Sequence, residues 1–144
     1  MIKLKSKYLL ICLAIMLLTQ CNYRTSSQKR FSKTLDIEIP KNVEILKDEY
    51  QDMWQDFAII YEIKLSEKQM SDLTHSIRSS KYFNPRVFVT DYVQQDMFLD
   101  HGDLKAVWAK TDSGYIFQND FKRDAYSAKI DTVNLTAKFN ESHD

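Results

Sequence analysis

Hydrophobic and polar residues alternate in short blocks along most of this chain, and the period of each block predicts its local structure. In LDIEIP, Leu35, Ile37 and Ile39 alternate with Asp36 and Glu38, which predicts a half-buried strand stopped by Pro40. A hairpin is predicted next: residues 43–46 rise, a polar and charged turn region over 47–56 reverses the chain, and residues 57–65 return. In the returning strand Phe57, Ile59, Tyr61, Ile63 and Leu65 fall on one face, and Ala58, Ile60, Glu62 and Lys64 on the other. The period then lengthens. In SEKQMSDLTHSIRSSKYF, Ser66 and Gln69 form an S-x-x-Q capping box, Glu67 sits in the first turn, and Met70, Leu73 and Ile77 make a stripe at helical spacing. This predicts an amphipathic helix over 67–81, closed before Pro85, which biases Asn84 away from helical angles.

Strand character resumes in VFVTDYV and LKAVWAK, and AKTDSGYIF joins two strands through a Thr-Asp-Ser-Gly turn. YSAKIDTVNLTAKF alternates through Tyr126, Ala128 and Ile130, then through Val133, Leu135, Ala137 and Phe139; the phase shift at Asp131-Thr132 predicts a bulge or a tight turn. Together these elements predict an α+β domain over residues 35–144: an antiparallel β-sheet with one amphipathic helix packed on one face.

The beginning of the chain follows another pattern. Lys3, Lys5 and Lys7 precede an unbroken apolar run from Tyr8 to Leu18, whose eleven residues would make a helix only about 16 Å long. That cannot cross about 30 Å of hydrocarbon, and basic residues followed by a short apolar core are the anatomy of an export signal. The run ends in LTQC, Leu18-Thr19-Gln20-Cys21. This tetrapeptide resembles the lipobox of bacterial lipoproteins, in which an aliphatic residue stands three places before the lipid-carrying cysteine; Gln20 stands where that family usually has Gly, Ala or Ser. The resemblance covers residues 1–21. It implies that residues 1–20 are a signal peptide cut off before Cys21, that Cys21 receives a diacylglyceryl thioether and its new amino group an acyl chain, and that the protein is held in the cell envelope. Asn22 after the cysteine leans toward the outer membrane. Residues 22–34, NYRTSSQKRFSKT, are polar and aperiodic and predict a flexible tether, with Arg24, Lys29, Arg30 and Lys33 able to rest on anionic headgroups.

Charge and composition narrow the function. Of 20 Lys+Arg, three precede Cys21, which leaves 17 against 20 Asp+Glu in residues 21–144, so no basic excess is available for a nucleic acid. Cys12 and Cys21 are the two cysteines, so the domain carries no disulfide framework or cysteine-based zinc site; two glycines and two prolines exclude a glycine-rich phosphate loop and a proline-rich tail.

Candidate sites are few. Glu49, Asp52 and Asp56 surround Tyr50, Met53 and Trp54, an acidic stretch with aromatic residues suited to contact with a partner, Tyr50 and Trp54 being the contact residues. Asp96, Asp100, His101 and Asp103 crowd eight residues, but their spacing fits a solvated loop around Gly102 better than a metal site. His75 lies beside the helix stripe without a nucleophile to serve. Trp108, Tyr115, Phe117 and Tyr126 follow strand alternation and read as packing residues. The expectation is a membrane-anchored domain that is not an enzyme, takes no metal or cofactor and binds an envelope protein; the alternative is a small-molecule or lipid carrier with a pocket between helix and sheet.

Overall fold

The computed structural model describes residues 25–143. The expected signal peptide over 1–20, Cys21, Asn22 and Arg24 lie outside them. In chain order the elements are α1 (Ser27–Thr34), β1 (Glu44–Met53), β2 (Asp56–Lys64), α2 (Glu67–Ser79), β3 (Phe83–Phe88), a 3₁₀ turn (Gln95–Met97), β4 (Leu99–Asp100), β5 (Lys105–Thr111), β6 (Gly114–Asn119), β7 (Asp124–Asp131) and β8 (Thr136–His143). Among the described residues the architecture is a mostly-sheet α+β fold, one eight-stranded sheet with two helices. Its order is β1-β2-β8-β7-β6-β5-β3, with the short β4 also pairing β5. The sheet is mixed rather than wholly antiparallel, because β3 runs parallel to β5.

The connections follow from local chemistry. β5, β6, β7 and β8 form a meander. The expected Thr-Asp-Ser-Gly turn closes its first hairpin, pairing Thr111 with Gly114. Gly114 has φ +154°, and a Cβ there would lie 2.1 Å from the Ile130 carbonyl oxygen, so the neighbouring strand leaves no room for a side chain. The phase shift at Asp131-Thr132 is a turn: Asp131 pairs with Thr136 across it, and the Asp131 carboxylate accepts hydrogen bonds from the backbone N–H groups of Val133 and Asn134 and from the Asn134 side chain. These bonds hold the Asp131 carboxyl below its usual pKa.

α2 has the expected capping box between Ser66 and Gln69, and buries Met70, Leu73 and Ile77. It carries the chain from β2 to β3 at the far edge, five strand spacings or about 24 Å away, and its thirteen residues span about 20 Å. Its buried side chains join Phe31 and Leu35 from the α1 end, together with Ile59, Tyr61, Ile63, Trp108, Phe117, Ile130 and Phe139 from the strands, in one cluster. A row of paired positions crosses the sheet from Tyr61 through Phe139, Ala128 and Phe117 to Trp108. A smaller cluster lies on Val107 and Ala109 of β5, where Val87, Val89 and Val93 cover them.

Three further expectations are corrected. The first is the tether. Within residues 22–34, Ser27–Thr34 is helical: Ser26 caps it, Phe31 is completely buried, and the helix ends with a backbone bond from Ile37 N–H to the Ser32 carbonyl over Asp36 at φ 53°. That is the long bond of a Schellman motif, with Asp36 in the left-handed position. The second is the LDIEIP strand. Leu35, Ile37 and Ile39 are buried as the alternation requires, but the segment joins no ladder. Its backbone is held by the helices instead: Gln28 donates to the carbonyls of Ile39 and Pro40, while the Ser76 and Ser32 hydroxyls accept from Glu38 N–H and Ile39 N–H. An extended chain buries every second side chain whether or not a neighbouring strand pairs it.

The third is the region 47–56. It is strand almost throughout, because β1 runs to Met53 and pairs β2 along its length with a bulge at Leu46. Only Trp54 and Gln55 turn the chain, with Met53 opposite Asp56 and Trp54 at φ 71°.

Candidate functional site

Two places on the molecule hold unusual side-chain chemistry. The first forms where α1 meets the end of the sheet. Arg30 Nε donates to Glu141 Oε2 at 2.5 Å, and its Nη2 donates to the other carboxylate oxygen. Glu141 is 2% exposed, so its charge depends on this two-pronged partner. Above the pair, the Arg30 guanidinium sits 5.5 Å from the Phe57 ring centroid, and Phe57 stacks between Tyr50 and His143 at 5.8 and 5.6 Å. His143 Nδ1 in turn contacts an Asp124 carboxylate oxygen.

Each neighbour leaves an electrostatic mark. The hydrogen bond to Glu141 raises the Arg30 pKa further above neutrality. Burial first, then the nearby carboxylates of Glu141 and Asp124, push the Tyr126 hydroxyl up to about 12. Tyr61 is also raised, by burial and then by Asp48, whose Oδ1 accepts from the Ser27 hydroxyl at 2.5 Å. The cluster fastens α1 to β2 and β8.

Beside this clasp lies an open groove of about 660 Å³. Lys29, Arg30 and Lys33 of α1 line it together with Lys81, Tyr82, Asp103, Leu104 and Asp124. Asp36, just past α1, holds the Lys81 segment in place: its Oδ2 accepts from the Ser80 hydroxyl at 3.1 Å and from Lys81 N–H at 2.8 Å.

The second place is the β1 edge and its hairpin tip. β1 pairs only with β2, so its outer backbone groups face no strand among the described residues. Ile45, Leu46, Tyr50 and Met53 are about half exposed along it, and the Trp54 side chain at the turn is fully exposed. Glu44, Asp48, Glu49 and Asp52 give the strand an acidic character against Lys47 alone. The opposite edge, β3, is short, contains Pro85 and pairs with β5 irregularly, so it offers a poorer template.

The other sequence candidates have ordinary surroundings. Asp100 accepts from Gly102 N–H at 2.9 Å within its loop, and His101 meets the Tyr82 ring edge-on at 5.2 Å. No grouping of three or more His, Cys, Asp or Glu among the described residues could hold a metal ion. His75 is exposed on the outer side of α2. Trp108, Phe117 and Tyr115 are buried as packing residues, with Trp108 Nε1 donating to the Leu35 carbonyl at 3.0 Å; Tyr126 is half-buried. No helix among the described residues is long and apolar enough to cross a membrane.

The structure brings Tyr50 against Phe57 and leaves Trp54 fully exposed in the hairpin turn. Sequence reasoning missed the Arg30–Glu141 pair and the groove. The available signal was Ser27, Phe31 and Leu35 at four-residue spacing behind a serine cap, a single helical stripe in an otherwise polar stretch. The fold and these two places define a mostly-sheet α+β domain with a clasped N-terminal helix. No family model matches the chain, and neither a curated protein nor a solved structure matches it.

Proposed function

We propose that this chain is a lipoprotein of the bacterial cell envelope, anchored through Cys21, whose domain acts by binding a protein partner rather than by catalysis. In this reading both helices pack on one face of the sheet and the β1 edge with its hairpin tip is the working surface. The observation that carries it is Trp54. A fully exposed indole on a two-residue turn, beside half-exposed Met53 and Tyr50 on a strand at the end of the sheet among the described residues, is the composition of an interface anchor. The acidic residues of β1 favour a partner that brings an extended segment with basic side chains.

The carrier alternative has less support. The space a pocket would need between α2 and the sheet is taken by Met70, Leu73 and Ile77 with Ile59, Ile63 and Ile130, all nearly inaccessible. The test is fractionation and affinity capture from detergent-solubilised envelope, comparing the native chain with Trp54→Ala and Cys21→Ser. The expected result is partner loss for Trp54→Ala with membrane association kept, and release from membranes for Cys21→Ser. Equal recovery of every partner by Trp54→Ala would refute the tip. Membrane retention of Cys21→Ser, with no acyl group on the native protein, would refute the anchor.

A further inference from the structure

We propose that the groove beside α1 binds the phosphate groups of anionic lipid headgroups, so that the domain lies on the bilayer that anchors it. The proposal rests on the reading of Cys21 as a lipid anchor.

The charge arrangement comes first. Lys29 and Lys33 are one helical turn apart, both exposed, and neither makes an ion pair among the described residues. Lys81 lines the same groove, its backbone N–H held by Asp36 and its ammonium over the Tyr82 ring at 5.0 Å. Arg30 is paired with Glu141, and the Asp124 carboxylate is in contact with His143. Three lysines therefore stand with Asp103 and Asp124 in the groove lining, a local cationic excess in a chain whose domain is otherwise slightly acidic. A compact set of cations held by a helix and a pinned loop suits phosphate oxygens, and juxtamembrane lysines gain most from an anionic surface.

Reach supplies the second observation. Thr25 already lines the groove, only four residues after Cys21. Four extended residues span at most about 14 Å. Had residues 22–34 been a free tether, the domain could stand roughly 45 Å away, far beyond the reach of surface potential, which is screened over about 8 Å at physiological salt. α1 removes that freedom and keeps the lysines near the headgroup layer.

The test is an amine-reactive footprint of the full chain, read by mass spectrometry, on vesicles of phosphatidylcholine alone and of phosphatidylcholine mixed with phosphatidylglycerol. Labelling of Lys29, Lys33 and Lys81 should slow by about five-fold or more on the mixed vesicles, return at high salt, and leave exposed Lys68 unchanged. Equal labelling of the three lysines on both vesicle types would overturn the proposal. So would equal protection by inorganic phosphate without vesicles, which would assign the groove to the free ion. The mass of the Cys21 peptide separates the two readings: acylated Cys21 with unprotected lysines refutes the groove alone, whereas protected lysines with unmodified Cys21 support the groove and refute the anchor.

Discussion

Residues 27–34 and residues 47–56 look alike as sequence, both polar, charged and sparing in aliphatic side chains, yet the fold treats them in opposite ways. The first becomes a helix with a completely buried phenylalanine and a bidentate ion pair; the second becomes an edge strand whose large apolar side chains face water. The difference lies in what each aromatic residue meets. Phe31 is received by Tyr61 and Phe139, at 6.4 and 5.5 Å between centroids, whereas Trp54 sits beyond the last pair of its hairpin. Mean polarity carries little information about burial when one aromatic side chain supplies most of the contact area.

The contrast is sharpest in stability. Phe31→Ala should cost about 3–5 kcal/mol in denaturant unfolding, while Trp54→Ala should stay within about 0.5 kcal/mol. Similar losses at both sites would mean that the hairpin tip is also structural. The ion pair gives the next largest effect. Arg30→Met leaves Glu141 buried without its partner, at a cost of about 3 kcal/mol near neutral pH. Adding Glu141→Gln to Arg30→Met should recover part of that loss, because the double variant buries no unpartnered charge. No recovery in the double variant would show that Arg30 contributes by packing on Phe57 rather than by charge.

Tyr126 gives an effect confined to alkaline pH. Its folded pKa of about 12 exceeds the ordinary value of 10.0, so its share of stability is complete below about pH 10 and is lost as pH rises toward 12. Tyr126→Phe should flatten that part of the stability profile, measured by unfolding at a series of alkaline pH values.

What was readable in the sequence was local. The α2 capping box, the Asp112-Ser113 hairpin and the alternating face of β2 need only neighbours within a few residues, and all three are present. The turn after Asp131 was visible as a break in period. The unreadable parts depend on distant partners. Arg30 and Glu141 are 111 positions apart, and nothing near either residue distinguishes it from a solvated charge. The LDIEIP segment shows the same limit in another form, because alternation reports which side chains are buried and is silent about what accepts the backbone hydrogen bonds. As for the site, Tyr50 and Trp54 were legible as aromatics in acidic company, but the groove was not, since Lys81 is held beside α1 by Asp36, 45 positions away in the chain.

The turn at Trp54 has one more consequence. A bulky residue at φ 71° holds a left-handed conformation that costs about 1–2 kcal/mol relative to the ordinary right-handed one, at a position where glycine or asparagine would fit freely. The chain thus gives up folding energy at a turn whose indole is fully exposed among the described residues. A glycine or asparagine there would relieve that strain, so the residue at the tip is not the one that stability alone favours.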